Sequence, residues 1–208
     1  MDLFAPVILA SQSPRRIELL KKLVTDFEVI PSAVEETLRD DLSPEENAMA
    51  LAEEKARSVE SRHPGRLVIG ADTVVALGGE IIGKPKDAED ARRILRRLSG
   101  RVHKVITGVA VVFGRSFPAA ETSTVRFHPL SEKQIADYVA TGEPLDKAGA
   151  YAIQGIGEAL VASHEGSYSN IVGLPIDTLR ALLGRAGEHA PQSGPQQGSA
   201  YPNEKNNP

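Results

Sequence analysis

Val68-Ile69-Gly70-Ala71-Asp72-Thr73-Val74-Val75-Ala76-Leu77-Gly78-Gly79-Glu80-Ile81-Ile82 is the stretch on which the fold turns. From Leu67 to Leu77 it is apolar and β-rich, which predicts a strand. Gly78-Gly79 then marks a tight turn into Glu80-Ile81-Ile82, so a hairpin is expected. Upstream, the all-apolar run Pro6 to Ala10 fits a second buried strand. Ser13-Pro14 reads as N-cap and first position of a helix carrying Ile17, Leu20 and Val24 at helical spacing, joined by Leu19 and Leu23. A short strand is expected at Phe27 to Pro31. Ser43-Pro44-Glu45-Glu46 is a capping box that opens a helix running to about Ser61.

Downstream, Asp87 caps a helix with Ala91, Ile94, Leu95 and Leu98 on one face, stopped by Gly100. Arg101 to Phe113 is rich in Val and Ile and predicts a strand, with Thr122 to Phe127 as its partner. Ser131 with Gln134 forms another capping box, and that helix ends at Thr141-Gly142. Residues 142–175 carry too many Gly and Pro for one long element, and Leu160-Val161-Ala162 is the best strand within them. Pro175 starts a last helix that Gly184 is expected to end. From Gly184 to Pro208 there are four Gly and four Pro but no Val, Ile, Leu, Met or Phe. Such a tail cannot bury apolar surface and reads as disordered. Strands, helices and a hairpin in this mixture predict an α/β fold with a mixed sheet and flanking helices.

Composition narrows the function classes. The 208 residues hold 24 Lys+Arg against 28 Asp+Glu, a net charge of −4, with no Cys or Trp and 4% aromatics. The acidic balance argues against nucleic-acid binding and against anionic membranes. Few aromatics leave no base-stacking platform. Without Cys there is no disulfide framework, zinc ribbon or thiol nucleophile. The apolar run at Leu3 to Ala10 is too short to span a bilayer and lacks a basic leader, so the expected compartment is the cytoplasm. Neither G-x-G-x-x-G nor G-x-x-x-x-G-K-[ST] occurs, so the common nucleotide motifs are absent.

Four constellations could carry chemistry. Ser11-Gln12-Ser13-Pro14-Arg15-Arg16 follows a strand and opens a helix, where free N–H groups, two hydroxyls and two guanidiniums suit an anion. Positive charge at a helix N-terminus opposes the dipole, which favours phosphate over an ordinary cap with two surface arginines. Asp72 lies inside an apolar strand and must be paired, metal-bound or functional, or else accept a backbone N–H at a sheet edge. Lys84 in Gly83-Lys84-Pro85, Lys55 and the pair Glu35-Glu36 read by themselves as solvated charges. Finally, the Gly-rich runs Thr141 to Gly155 and Gly166 to Pro175 embed Tyr, Ile, Val and Leu, so they read as ordered loops near a ligand. His103 sits in a predicted strand and reads as a core histidine; the five His show no metal-ligand spacing.

Taken in order, Ser11-x-Ser13-Pro14-Arg15-Arg16, Ala71-Asp72-Thr73-Val74-Val75, Gly83-Lys84-Pro85, Asp146-Lys147-Ala148-Gly149-x-Tyr151-x-Ile153-Gln154-Gly155 and Gly166-Ser167-Tyr168-x-Asn170-Ile171-Val172-Gly173-Leu174-Pro175 resemble the Maf family of nucleoside triphosphate pyrophosphatases. The resemblance runs from about residue 7 to residue 183. It implies a Maf/ITPase-like fold of two lobes around a central cleft, one catalytic domain over residues 1–184 with a tail over 185–208, and a homodimer. It implies hydrolysis of a nucleoside triphosphate to the monophosphate and pyrophosphate with Mg²⁺ or Mn²⁺. Asp72 would be the general base and a metal ligand, with Glu36 as a further metal ligand. Ser11, Arg15, Arg16, Lys55 and Lys84 would surround the phosphates. Arg15, Thr73 and Gln154 form the combination of the dTTP/UTP group. The alternatives are the same reaction on another base, such as 7-methyl-GTP, and a non-catalytic regulator of cell division.

Overall fold

The computed structural model describes residues 6–189. Its centre is a mixed sheet of seven strands: β1 (Val7–Leu9), β2 (Phe27–Val29), β3 (Val68–Leu77), β4 (Glu80–Ile82), β5 (Val102–Phe113), β6 (Arg115–Phe127) and β7 (Val161–Glu165). The order is β2-β1-β3-β5-β6-β7, with β4 also on β3. β1 is parallel to both β2 and β3, and every other pairing is antiparallel. The α/β reading and the mixed sheet therefore hold. The hairpin at Gly78-Gly79 is present, with Leu77 opposite Glu80 and both glycines at positive φ.

Helices cover both faces. The alternation of β3 sends Val68, Val74 and Ala76 to one face and Ile69, Ala71 and Val75 to the other. Helix α2 (Pro44–Glu60) lies on the first face and opens with the expected capping box, Ser43 to Glu46. Helices α1 (Pro14–Leu20), α3 (Ala88–Leu98), α4 (Glu132–Ala140) and α6 (Ile176–Glu188) contribute to the larger core on the other. A one-turn helix, α5 (Tyr168–Val172), and three 3₁₀ turns shape the Gly-rich segment between α4 and α6.

Helix α2 approaches the sheet more closely than ordinary side chains permit. A Cβ on Gly70 would overlap the carbonyl of Ala52 and stand 2.9 Å from the Cβ of Ala56. A Cβ on Gly108, which is opposite Asp72 in β5, would overlap the carbonyl of Ala48. Small residues on both sides let the backbones meet.

Four expectations need correction. Helix α1 stops at Leu20, so Leu23 and Val24 pack on the core from the turn beyond it, and β6 begins at Arg115 instead of Thr122 because it pairs with β5 along the whole length of that strand. Gly184 does not end the last helix, which continues to Glu188 because Leu182, Leu183 and Ala186 all bury on the core and packing overrides the low helix propensity of glycine. The strand expected at Leu160 begins one residue later and runs to Glu165. The disordered tail expected from residue 185 lies, beyond His189, outside the described residues.

His103 is the core histidine expected. Its ring makes edge contacts with Phe127 and Tyr151 at 5.0 and 5.3 Å, and Nε2 lies 2.8 Å from the Tyr151 hydroxyl. Nδ1 is buried without a partner among the described residues. Burial pushes its pKa down to about 4.

Gly108→Ala should force α2 off the sheet and cost about 2 kcal/mol or more, read as a lower urea midpoint. Between pH 6.5 and about 4 the unfolded chain protonates His103 while the native state does not, so stability should fall as pH drops. The full effect is about 3 kcal/mol. His103→Gln should flatten that part of the pH profile; an unchanged slope would rule the histidine out.

Candidate active site

The cleft owes its position to a break in the strand edge of β3. On that edge β1 pairs only with Val68 and Ile69, and β4 only with Val75 to Leu77. Between them, residues 70–74 face no strand, and Asp72 is in the middle. The cleft there has a volume of about 1090 Å³ and is lined by Ser11, Arg15, Arg16, Glu36, Lys55, Asp72, Thr73, Lys84 and Gln154, among others. All nine residues singled out in the sequence thus converge on one place, although up to 143 positions separate them.

Asp72 and Thr73 leave β3 on opposite faces and meet different partners. Asp72 points to the α2 face, where Lys55 Nζ donates to its Oδ1 at 2.5 Å. Both side chains are almost fully buried, 7% and 9% exposed, so each charge depends on the other. The edge-strand alternative, an Asp72 that accepts a backbone N–H, is not what the structure shows. Lys55 also donates to Glu36 Oε1 at 2.7 Å, and Lys84 donates to Glu36 Oε2 at 2.8 Å. Burial alone would raise the pKa of Glu36, but the two ammonium groups outweigh it and hold the carboxyl at about 2. The loop that carries Glu36 is tied to α2 by buried Asn47, which exchanges two hydrogen bonds with the backbone of Arg39 and donates to the Leu42 carbonyl.

On the other face Thr73 meets Arg16. The guanidinium donates to Thr73 Oγ1 (3.0 Å), the Ala71 carbonyl (2.9 Å), Ser11 Oγ (3.2 Å) and the Gly173 carbonyl (2.8 Å). It takes up the Ala71 carbonyl on the open strand edge and ties α1, β3 and the turn after α5 together. Burial lowers its pKa against the opposing pull of Asp72 and Glu36. Arg15, next along the chain, has no hydrogen bond or ion pair among the described residues and is open to the cleft. The α1 N-terminus is less capped than its sequence suggests. Ser13 makes no side-chain cap, and its N–H donates instead to Ser11 Oγ at 3.3 Å.

The third wall comes from the Gly-rich segment. The Gly149 N–H donates to the Gly83 carbonyl, docking this segment on the loop that carries Lys84. Gly149 sits at φ 70° with Val75 against it, and Ala150 follows at φ 56°, an unusual conformation for a residue with a side chain. Behind Thr73, Thr107 and buried Asn170 form a polar cluster. The Asn170 amide bonds the Thr107 N–H and the Val105 carbonyl as a strand residue would, and Thr107 Oγ1 lies 3.0 Å from Thr73 Oγ1.

Residues 6–186 match the family described as "Maf-like protein". The chain belongs to the Maf family. It is 50% identical over 205 residues to a dTTP/UTP pyrophosphatase of Anaeromyxobacter sp., covering 94% of this chain and 98% of that protein. It is 52% identical over 178 residues to a dTTP/UTP pyrophosphatase of Bacillus velezensis, covering 85% of this chain and 94% of the relative. The Ham1 protein of Staphylococcus aureus shares the fold, with a TM-score of 0.50 at 16% identity over 88% of this chain and all of that one.

Within this Maf cleft the two arginines that the sequence treats alike are divided. Arg16 spends four donors on the protein, and Arg15 spends none. Sequence reasoning passed over Asn47, Glu143 and Lys147 as individual residues. Lys147 Nζ donates to Asp146 at 2.6 Å and to the Glu143 carbonyl at 2.7 Å on the cleft wall. Lys147 stands in one of the family motifs, whereas nothing local to Asn47 or Glu143 marks them: Asn47 bonds only backbone atoms, and Glu143 bonds two distant backbone N–H groups besides the Tyr138 hydroxyl. Among the described residues no group of three or more His, Cys, Asp or Glu could hold a metal.

Arg16→Ala should leave the Ala71 and Gly173 carbonyls without their donor and cost about 3 kcal/mol. Arg15→Ala should stay within about 0.5 kcal/mol of wild type in the same urea titration. Equal effects from both would refute the division.

Proposed function

We propose that this chain hydrolyses dTTP and UTP to the monophosphate and pyrophosphate in the cleft beside Asp72. The observation that carries the reading is the convergence of Arg15, Lys55 and Lys84 around Asp72 at the open edge of β3. The names of the relatives at about 50% identity over nearly their whole length supply the reaction and the bases.

A triphosphate needs several fixed cations. Arg15 has all its donors free among the described residues and a planar fork that matches two phosphate oxygens. Lys84 is half-exposed and can exchange Glu36 for phosphate without first being desolvated. Lys55 stays where it is, holding Asp72 and Glu36 in place. Asp72 Oδ1 is taken by Lys55, and Oδ2 makes no hydrogen bond among the described residues. That oxygen can accept a proton from water attacking the α-phosphorus. One O–P bond then forms, the bond from the α-phosphorus to its bridging oxygen breaks, and pyrophosphate leaves toward Arg15 and Lys84.

Asp72 and Glu36 also fit a divalent cation of the Mg²⁺ or Mn²⁺ kind. Such ions prefer hard carboxylate oxygens and commonly take one or two from the protein, filling the rest with water and phosphate. Bound there, the ion would supply neutralising charge and lower the pKa of a coordinated water. Gln154 is exposed in the cleft, and its amide sets a donor beside an acceptor, as the O4 and N3–H edge of uracil or thymine requires. The proposal extends to a cytoplasmic homodimer without nucleic-acid binding. The net charge of −4 favours the last point, and among the described residues no helix is long and apolar enough to cross a membrane.

The test is pyrophosphate release from a panel of nucleoside triphosphates, with Mg²⁺, Mn²⁺ or chelator. Turnover of dTTP and UTP that requires the metal and exceeds purine turnover is expected. Asp72→Asn should lower kcat about a thousandfold while the protein remains folded. Turnover of 7-methyl-GTP in preference would move the specificity elsewhere. A folded protein silent on the whole panel would overturn the reading.

A further inference from the structure

Glu143 is the most heavily engaged carboxylate of the cleft that the mechanism leaves unused. It stands in a 3₁₀ turn, Glu143–Asp146, just after α4. Its Oε1 accepts from the Tyr138 hydroxyl at 2.9 Å and from the Gly157 N–H at 3.0 Å. Its Oε2 accepts from the Ile156 N–H at 3.2 Å. The Tyr138 hydroxyl in turn accepts from the Ala152 N–H at 3.2 Å. One carboxylate and one phenol thus grip both ends of the segment 152–157.

Gln154 lies between those ends. Its side chain is exposed and makes no hydrogen bond among the described residues, so nothing but its backbone holds it. The grip is tight as well as polar. A Cβ on Gly157 would overlap the Ala152 carbonyl and stand 2.6 Å from the Tyr138 hydroxyl, and one on Gly155 would stand 3.0 Å from Glu143 Oε2. Burial of Glu143 would raise its pKa, yet the bonds from Tyr138, Gly157 and Ile156 lower it, so it is ionised at neutral pH and all three donors keep their acceptor. A short loop whose N–H groups converge on one carboxylate has little freedom left.

We propose that Glu143, with Tyr138, is a positioning residue for base selection: the pair fixes the 152–157 loop so that Gln154 meets the pyrimidine edge with its orientation set beforehand. The inference rests on the base-reading role given to Gln154 above. Glu143 does not touch the substrate itself, because its oxygens are taken by the loop. It acts on binding and selectivity through the loop it holds, and it makes no hydrogen bond to Asp72 or to the cations of the phosphate site among the described residues.

The experiment is steady-state kinetics on dTTP, UTP and dGTP for Glu143→Ala, Glu143→Gln, Tyr138→Phe, Gln154→Ala and the double variant Glu143→Ala/Gln154→Ala, with thermal melting of each. Glu143→Ala should raise KM for dTTP and UTP about tenfold and lower the preference over dGTP by a similar factor, with kcat within about threefold. Glu143→Gln keeps one acceptor oxygen and should recover part of the loss. The double variant should select no worse than Gln154→Ala alone, because two residues in one chain of action do not add. If Glu143→Ala fails to fold, Tyr138→Phe carries the test, since it releases only the Ala152 end and should show the smaller change in the same direction. Wild-type selectivity in the folded Glu143 or Tyr138 variants, additive losses in the double variant, or an equal fall in kcat for every triphosphate would overturn the positioning role while leaving base reading intact. Wild-type selectivity in Gln154→Ala would overturn base reading by Gln154, and this inference with it.

Discussion

The rest of the molecule depends on how close α2 comes to the sheet. Without side chains at Gly70 and Gly108, the carbonyls of Ala52 and Ala48 can lie where a Cβ would otherwise stand. Lys55 follows one helical turn after Leu51 and Ala52, and at this distance its ammonium reaches Asp72 across the sheet surface at 2.5 Å. A helix set back by the width of a methyl group would leave Asp72 as a carboxylate in an apolar strand with no partner, which is costly. The close contact therefore serves packing and charge together. It explains why the sheet positions directly beneath the α2 backbone are Gly70 and Gly108, whereas Val68, Val74, Ile106 and Val112 flank them on the same face.

The second constraint is the interrupted edge of β3. A strand that carried β1 along its full length would have every N–H and C=O satisfied and no room for a ligand. Here β1 stops at Leu9, and the chain turns through Ser11 into α1, so the guanidinium of Arg16 takes the Ala71 carbonyl instead of a neighbouring strand. The cleft is the space that follows. Its charges alternate, with Lys55 between Asp72 and Glu36, and Glu36 between Lys55 and Lys84. Alternation keeps each buried charge compensated before a substrate arrives, and it leaves Arg15 and the outer lysine as the groups with donors to offer.

Much of the fold was legible in the chain because its signals are local. The capping boxes at Ser43 and Ser131, Asp87 before α3 and Gly78-Gly79 each depend on residues within four positions, and each stands where it was expected. Gly184 was misleading for the complementary reason. Its low propensity is local, but the burial of Leu182, Leu183 and Ala186 that carries the helix past it is not. Ser13 was misleading in the same way, since the hydroxyl that takes a backbone N–H at the start of α1 belongs to Ser11.

For the site, residue type and order were enough to pick out Asp72 and the arginine pair, because an ionised group in an apolar strand or a doubled arginine at a helix start has few structural uses; Lys84 and Gln154 stood out only through the family resemblance. The sequence by itself also determined the α/β class, the family resemblance and the acidic balance. Which arginine is a strut and which is open, that Lys55 belongs to Asp72, and that Glu143 grips the loop around Gln154 were decided only by the tertiary structure. Hydrogen bonds to backbone carbonyls and N–H groups far away in the chain leave no mark on the residues at either end. They exist only once the fold has brought a side chain within hydrogen-bonding distance of a backbone atom remote in the sequence.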